Sequence, residues 1–432
     1  MVHWKPNDDL EFKLILPPTV YPPKEDSNLL AEKIIEFGHG DNRNFLEIGC
    51  GSGALTILAA SRGWKVSACD INPYAVAATR GNLSSNGLEG QILEGGIGPE
   101  KFPFKDKFEL IIWNLPYVLD QGNGDLLGPL EEASFVDSDK LGLDQRMLKM
   151  IAENEMLAEN GRILLLSRKE ISGFGFAHRI GGKLTFDDGE TIVVTCLWNP
   201  WENSHSHLVS ETSSTNSDLL GMEGVGTRIR AIKQTEGRGR RKRKWFSIEG
   251  SYAASWIVSD NSEFEPGFLQ ISGAIAVLKS LNIDVLKLKW PNDIMIDDRK
   301  VCGILAESRT MGDNTKVVLG IGLNLFSNNH KFDFKIGFLD ELITPNVDKI
   351  DINLNAEISS IFEVGNNLPP IDKESLLLLA NNLISDHGRP IYRGKLYNNF
   401  ELDDSFRLVL DGNILIDEID DISWENNSIS LR

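Results

Sequence analysis

From residue 26 to residue 198 the chain alternates between long and short apolar runs. The long ones, LLAEKIIEF, ALTILAASR and AVAATRGNL, read as helices; Asp26 can cap the first and Pro73 opens the third. The short ones, NFLEI (44–48), KVSAC (65–69), FELIIW (108–113) and RILLLS (162–167), read as strands. A helix through QRMLKMIAENEML leads into the last of these. KLTF and TIVVTCLW flank an Asp187-Asp188-Gly189 turn and predict a β-hairpin. This βαβ rhythm predicts an α/β fold with a mostly parallel, doubly wound sheet.

The pattern breaks at NPWENSHSHLVSETS, residues 199–213, a polar, turn-rich stretch that reads as a domain joint. Its His205 and His207 are expected to be solvated rather than metal-bound. Beyond the joint, short strands dominate: TRIRAIKQT, VLKLKW, KVCGILAES and KVVLGIGLNL, with a helix through LQISGAIAVLKSL among them. After about residue 388 only short strands remain, which predicts a small all-β cap. The chain shows no internal repeat and no helix-turn-helix candidate ahead of residue 214. Its 432 residues suit two or three domains, with boundaries expected at 1–200, 205–385 and 388–432.

Composition narrows the setting. Hydrophobic residues make up 41% and charged residues 25%, ordinary values for a soluble globular protein. No run approaches the roughly 18 apolar residues of a membrane span, and MVHWKPNDDLEFK is no signal peptide. Cys50, Cys69, Cys196 and Cys302 are scattered, which argues against a disulfide framework or a zinc site and predicts a cytoplasmic setting. The net charge of −19 makes one stretch stand out: GRGRRKRKW (237–245) carries six basic side chains within 238–244. Such a run fits nucleic acid or nuclear import, or a loop gripping one small phosphate-bearing ligand. The acidic background disfavours a broad grip on a phosphate backbone.

Chemistry in the first half begins at LEIGCGSGAL, where Gly49, Gly51 and Gly53 stand between a strand and a helix. Glycines there permit a tight turn and close approach of backbone to ligand. Asp70 ends the next strand, where a carboxylate can accept hydrogen bonds from ribose hydroxyls. Either a dinucleotide or S-adenosylmethionine fits these features. NLPY, Asn114 to Tyr117, favours the second, because it resembles the motif of methyltransferases that modify a planar amide or amine nitrogen. An amide nitrogen is a poor nucleophile because its lone pair is delocalised. The Asn114 side-chain oxygen and the carbonyl of Leu115 or Pro116 can accept its two N–H bonds and hold it for attack on a methyl group. Tyr117 can pack on the flat acceptor.

Together with VYPPKEDSNLL (20–30) and DINPYAV (70–76), this motif resembles the HemK-type protein glutamine N5-methyltransferases. The resemblance covers about residues 10–198 and is nearest to the archaeal and eukaryotic branch that modifies a translation release factor. It implies a Rossmann-like S-adenosylmethionine domain, with Glu25, Asp26 and Ser27 near cofactor and substrate and a small activating subunit as partner. Asn114, Pro116 and Tyr117 are its implied catalytic group. One departure concerns the acidic residue that many relatives place after the third strand to meet the adenine amine. Here ILEGGIGPE offers Glu94.

In the second half four segments stand in order: SSTN (213–216), QTEGRGRRKRKW (234–245), KWPNDIMIDDRKVCGILAE (289–307) and GIGLNL (320–325). In that order they resemble biotin protein ligases, from about residue 207 to the final SISLR. The resemblance implies an α+β catalytic domain followed by a small SH3-like β domain. It also implies activation of biotin by ATP and Mg²⁺ to biotinyl-AMP, and transfer to a lysine of a biotin carboxyl carrier protein. Ser214, Thr215, Asn216 and Gln234 would meet the biotin head group. Gly237 and Gly239 would let the backbone fold over the intermediate, while Arg238 and Arg240 supply donor forks to its phosphate. Lys300 would act beside the reacting carboxyl and phosphate, and Arg240 with it. Asn292 and Asp293 suit the ATP side, Asp293 as the metal ligand, and Trp245 and Trp290 the adenylate pocket. Gly303 and Asn324 complete the implied set. Two departures are Lys242, where the family commonly has glycine, and Ile248, where it has proline. A methyltransferase stands where some relatives carry a winged helix, so operator binding is not expected.

Two other readings of the first half are a binding module that keeps the fold without transfer, and an enzyme that methylates adenine in nucleic acid.

Overall fold

The computed structural model describes residues 2–98, 101–116, 141–239, 245, 250–260, 264–312, 314–327, 335–416 and 422–426. The chain divides into two compact units. The first holds Met1–Glu202 with Val364–Pro370, and the second holds Asn203–Glu363 with Ile371–Arg432.

The first unit opens with an antiparallel pair, β1 (Val2–Asn7) and β2 (Leu10–Leu14), followed by α1 (Glu25–Glu36). Next come β3 (Asn44–Ile48), α2 (Ala54–Ser61), β4 (Lys65–Asp70), α3 (Pro73–Ser85), β5 (Gln91–Glu94) and β6 (Phe108–Asn114). It ends with α4 (Leu143–Glu153), β7 (Leu157–Ser167), β8 (Ala177–Thr185) and β9 (Thr191–Trp198). The seven-stranded sheet runs β5-β4-β3-β6-β7-β9-β8. The first five strands pair in parallel, and β9 closes antiparallel on both β7 and β8. Successive residues of β6 serve opposite faces: Leu110 and Ile112 join a core with Leu30 and Ile57, while Ile111 and Trp113 join another with Met147 and Leu148. Helices therefore cover both faces, as the doubly wound expectation requires.

In the second unit, β10 (Ser206–Thr212), α5 (Thr215–Leu219), β11 (Arg228–Gln234), β12 (Tyr252–Ser259), α6 (Pro266–Leu281) and β13 (Lys287–Lys289) lead to β14 (Asp293–Ile296). There follow β15 (Arg299–Met311), β16 (Asn314–Leu323), α7 (Val347–Phe362) and α8 (Lys373–His387). Its sheet has seven strands in the order β10-β11-β12-β16-β15-β14-β13. Among the described strands of this sheet, only the β10–β11 pair is parallel.

The tail forms β17 (Gly388–Tyr392), β18 (Lys395–Leu396), β19 (Phe400–Leu402), β20 (Leu408–Leu410), β21 (Ile414–Ile416) and β22 (Ile422–Asn426). Among the described residues these make two three-stranded sheets, and the tail belongs to the second compact unit.

The polar stretch 199–213 is not wholly a joint. Its residues 206–212 are the edge strand β10, and the units part between Glu202 and Asn203. An edge strand exposed along most of its length carries the same polar composition as a linker. Two helices, α7 and α8, also stand where short strands were expected to dominate. No described helix is long and apolar enough to cross a membrane.

Candidate active sites

In the first unit the site lies at the carboxyl ends of β3, β4 and β6. Gly49, Gly51 and Gly53 all adopt positive φ, at 67°, 51° and 78°, a region that a side chain makes costly. Two of them are also crowded. A Cβ on Gly53 would lie 2.7 Å from Thr79 Cγ2, and one on Gly49 would lie 3.2 Å from Trp113 Nε1. Asp70 braces this turn: its Oδ2 accepts from the Gly51 N–H at 2.9 Å and its Oδ1 from the Asn72 N–H at 2.8 Å. Burial raises its pKa, and those two backbone donors oppose the rise. Glu94 pairs with Asp70 in register across β4 and β5 and is exposed.

Asn114 is the last residue of β6. Its Nδ2 donates to Asp26 Oδ2 at 2.8 Å. Its Oδ1 is buried with no hydrogen-bond partner among the described residues. A buried acceptor left open is costly unless something fills it, so this oxygen suits an incoming N–H. Asp26 is itself buried, with Oδ1 accepting from the Ser27 N–H at 2.6 Å. The structure thus sets Asp26 against Asn114, in the neighbourhood of cofactor and substrate that the resemblance implied. Leu115 is buried, with its N–H on the Leu166 carbonyl at 3.1 Å, and Pro116 is half-buried. Glu25 is exposed at the start of α1, and Tyr117 lies outside the described residues.

Glu47 was not singled out in the sequence, although it sits inside the quoted glycine motif. It is buried on β3 and accepts from the Thr56 hydroxyl. Burial pushes its pKa up to about 8, against the lowering effect of that hydrogen bond.

In the second unit Lys300 and Asp293 form an ion pair. The Lys300 ammonium stands 5.3 Å from the centroid of the Trp245 ring. That ring lies over two glycines that face each other across β15 and β16. A Cβ on Gly303 would come within 2.9 Å of Trp245 Cζ3, and one on Gly322 within 2.6 Å of Cε2. The buried indole nitrogen of Trp245 has no partner among the described residues. Asn324 donates to the Lys300 carbonyl at 3.1 Å and to that of Gly337 at 3.3 Å, so it holds the backbone beneath Lys300. Asn292 Nδ2 donates to the Ile304 carbonyl at 2.7 Å. Gly237 accepts from the Trp245 N–H at 2.8 Å, where a Cβ would lie 2.6 Å from the Trp245 carbonyl oxygen.

A second cluster surrounds SSTN. Ser214, Thr215 and Asn216 are buried around the start of α5. The Thr215 N–H donates to Gln234 Oε1 at 2.9 Å, and its hydroxyl lies 2.6 Å from that of Ser255. Ser255 donates to Asn216 Oδ1 at 2.6 Å, and Asn216 Nδ2 donates to Glu307 Oε2 at 2.8 Å. Ser255 lies in no quoted motif and Glu307 closes the quoted segment 289–307 without being singled out; cross-strand register brings both to this cluster.

Trp290 is buried and its indole N–H donates to the Phe406 carbonyl at 3.3 Å, which ties it to the tail. Arg238 is exposed and Gly239 half-buried, while Arg240, Lys242 and Ile248 lie outside the described residues.

Comparison with known proteins matches two stretches of the chain to two families. Residues 45–130 match the family model described as "Methyltransferase domain", and residues 209–324 that of the "Biotin/lipoate A/B protein ligase family". The chain joins a methyltransferase domain to a biotin/lipoate ligase domain.

Among individual relatives, the bifunctional ligase/repressor BirA of Escherichia coli is 34% identical over 124 residues, 27% of this chain and 39% of that protein. The biotin–[acetyl-CoA-carboxylase] ligase of Paracoccus denitrificans is 33% identical over 129 residues, 27% of this chain and 53% of its own length. A putative protein N5-glutamine methyltransferase of Methanocaldococcus jannaschii is 36% identical over 107 residues, 24% of this chain and 51% of that protein. The chain therefore spans only about 39–53% of the length of these relatives. Among solved structures, the biotin protein ligase from Aquifex aeolicus in complex with biotin and ATP aligns with a TM-score of 0.44 at 22% identity, over 51% of this chain and 99% of that one.

Proposed function

We propose that this chain carries two enzymes. The second unit activates biotin with ATP and passes it to a lysine of a biotin carboxyl carrier protein. The observation that supports this best is Lys300 set between the Asp293 carboxylate and the Trp245 ring, a ring that itself lies over the Gly303–Gly322 floor. In the first step a biotin carboxylate oxygen bonds to the α-phosphorus of ATP as the bond to pyrophosphate breaks. Two anions meet there, and the Lys300 ammonium offsets the charge that builds. In the second step the carrier amine attacks the acyl carbon, AMP leaves, and the nitrogen loses a proton. Asp293 is the residue that would hold Mg²⁺, which would supply positive charge to the phosphates of ATP; it would then share its carboxylate with Lys300. Biotin-dependent exchange of labelled pyrophosphate into ATP tests the reading, and its absence in the wild-type protein overturns it.

The first unit, on this reading, moves a methyl group from S-adenosylmethionine to a planar nitrogen. The glycine turn and Asp70 hold the cofactor, which supplies the electrophilic methyl group. The open, buried Asn114 Oδ1 supports an acceptor that presents an N–H. The substrate we favour is the glutamine of a translation release factor, with a small activating subunit as partner, in a cytoplasmic setting. Incubating release factor, and separately RNA, with labelled S-adenosylmethionine tests this. Labelled RNA alone would favour adenine methylation, and cofactor binding without any transfer would favour a binding module.

A further inference from the structure

The cluster around SSTN has a direction. Glu307 carboxylate and the Leu305 carbonyl accept and do not donate, and Asn216 Nδ2 reaches them at 2.8 Å and 3.3 Å. Asn216 therefore turns its Oδ1 to Ser255, whose hydroxyl donates at 2.6 Å. A hydroxyl has one proton. With that proton committed, Ser255 is the acceptor in its 2.6 Å contact with Thr215, and Thr215 is the donor. Thr215 then has no proton for its 3.2 Å contact with Gln234, whose Oε1 is held instead by the Thr215 backbone N–H at 2.9 Å. Toward a ligand, the Thr215 hydroxyl and Gln234 Oε1 both present lone pairs only.

Strand register builds this arrangement. Gly320 pairs with Ser255 on one side and Leu305 on the other, and a Cβ on Gly320 would overlap Asn216 Oδ1. The chain of donors runs through side chains that are buried except at Glu307 and Gln234, which are half-buried. There, water does not readily scramble the direction.

We propose that Ser255 and Glu307 are positioning residues that fix Thr215 as an acceptor and so select a ligand presenting N–H donors. The inference rests on the biotin ligase reading of this pocket. A cyclic urea meets the requirement through its ring N–H groups, and a ligand offering only an acceptor to Thr215 meets lone pairs with lone pairs.

The test uses the full chain and measures pyrophosphate exchange with biotin and with a ureido N-methylated biotin. For Ser255→Ala and Glu307→Leu, the KM for biotin should rise about tenfold, the worth of one hydrogen bond. The KM for ATP should stay within about twofold, and the preference for biotin over the methylated analogue should fall by about tenfold. Ser255→Thr and Glu307→Gln keep the hydroxyl and the acceptor and should behave as wild type. If Ser255→Ala fails to fold, the Glu307 pair decides, since that side chain is half-buried. An unchanged preference in Glu307→Leu, or the same loss in Glu307→Gln, overturns the proposal. A wild-type protein without biotin-dependent exchange overturns the ligase reading itself.

Discussion

The side-chain amide of Asn114 is oriented by Asp26: the Nδ2 donates to Asp26 Oδ2 at 2.8 Å, which leaves the buried Oδ1 open. An Asp accepts here and an Asn need not. In Asp26→Asn the new amide can donate to Asn114 Oδ1 and turn the group around. Methyl transfer should then fall about 100-fold, as expected for a misaligned reacting pair, while S-adenosylmethionine affinity by calorimetry stays near wild type. Equal loss of both would show that Asp26 serves cofactor binding and not the orientation of Asn114 alone.

Glu47 gives the first unit a pH dependence. Its ordinary value of 4.5 rises to about 8 on folding, chiefly through burial. Between those values the folded state keeps a proton that the unfolded chain has released. Its contribution is therefore greatest below the unfolded value, declines as pH rises toward 8, and then levels. The thermal transition that shifts on adding S-adenosylmethionine should move down between about pH 5 and about pH 8. Glu47→Gln, neutral at every pH, should flatten that slope.

What the sequence made legible was what local turns require. The three glycines, Asp70 and Asn114 sit at strand ends because a strand–turn–helix unit leaves them no other place. Lys300 and Asp293 are linked because the short β14–β15 connection brings strand back against strand. Ser255 and Glu307 were hidden for the opposite reason. Each is an ordinary strand residue, and only strand register, Ser255 opposite Gly320 and Glu307 opposite Val318, brings it to Asn216. The edge strand β10 passed for a linker because exposure on an edge leaves no apolar alternation to read.

The first unit also contains residues that no N-terminal reading supplies. Arg162 Nη2 donates to the Asn366 carbonyl at 3.1 Å and Arg179 Nη1 to the Pro369 carbonyl at 2.6 Å, while Leu368 packs on the core of Leu30 and Ile57. Both arginines are buried. Arg179→Met keeps an apolar stem but removes a charged donor, a loss of about 1.5–3 kcal/mol. In the full chain this should lower the S-adenosylmethionine-sensitive melting transition and leave biotin-dependent exchange unchanged. An unaltered transition would show that residues 364–370 add nothing to the stability of this unit.

Lys300 is held in three ways: an ion pair to Asp293, a ring face of Trp245 at 5.3 Å, and Asn324 on its carbonyl at 3.1 Å. Such fixing suits a cation that must meet developing charge without reorganising. Lys300→Ala should lower pyrophosphate exchange by about 100- to 1000-fold, the usual effect of removing one charge-stabilising group, with the melting profile unchanged. Lys300→Arg keeps the charge but not its point-like shape, so it should recover little. Asn324→Ala acts only through the backbone and should cost less than Lys300→Ala, with the same sign. Near-normal exchange in Lys300→Ala would assign the chemistry to other groups and leave the Asp293 ion pair a structural one.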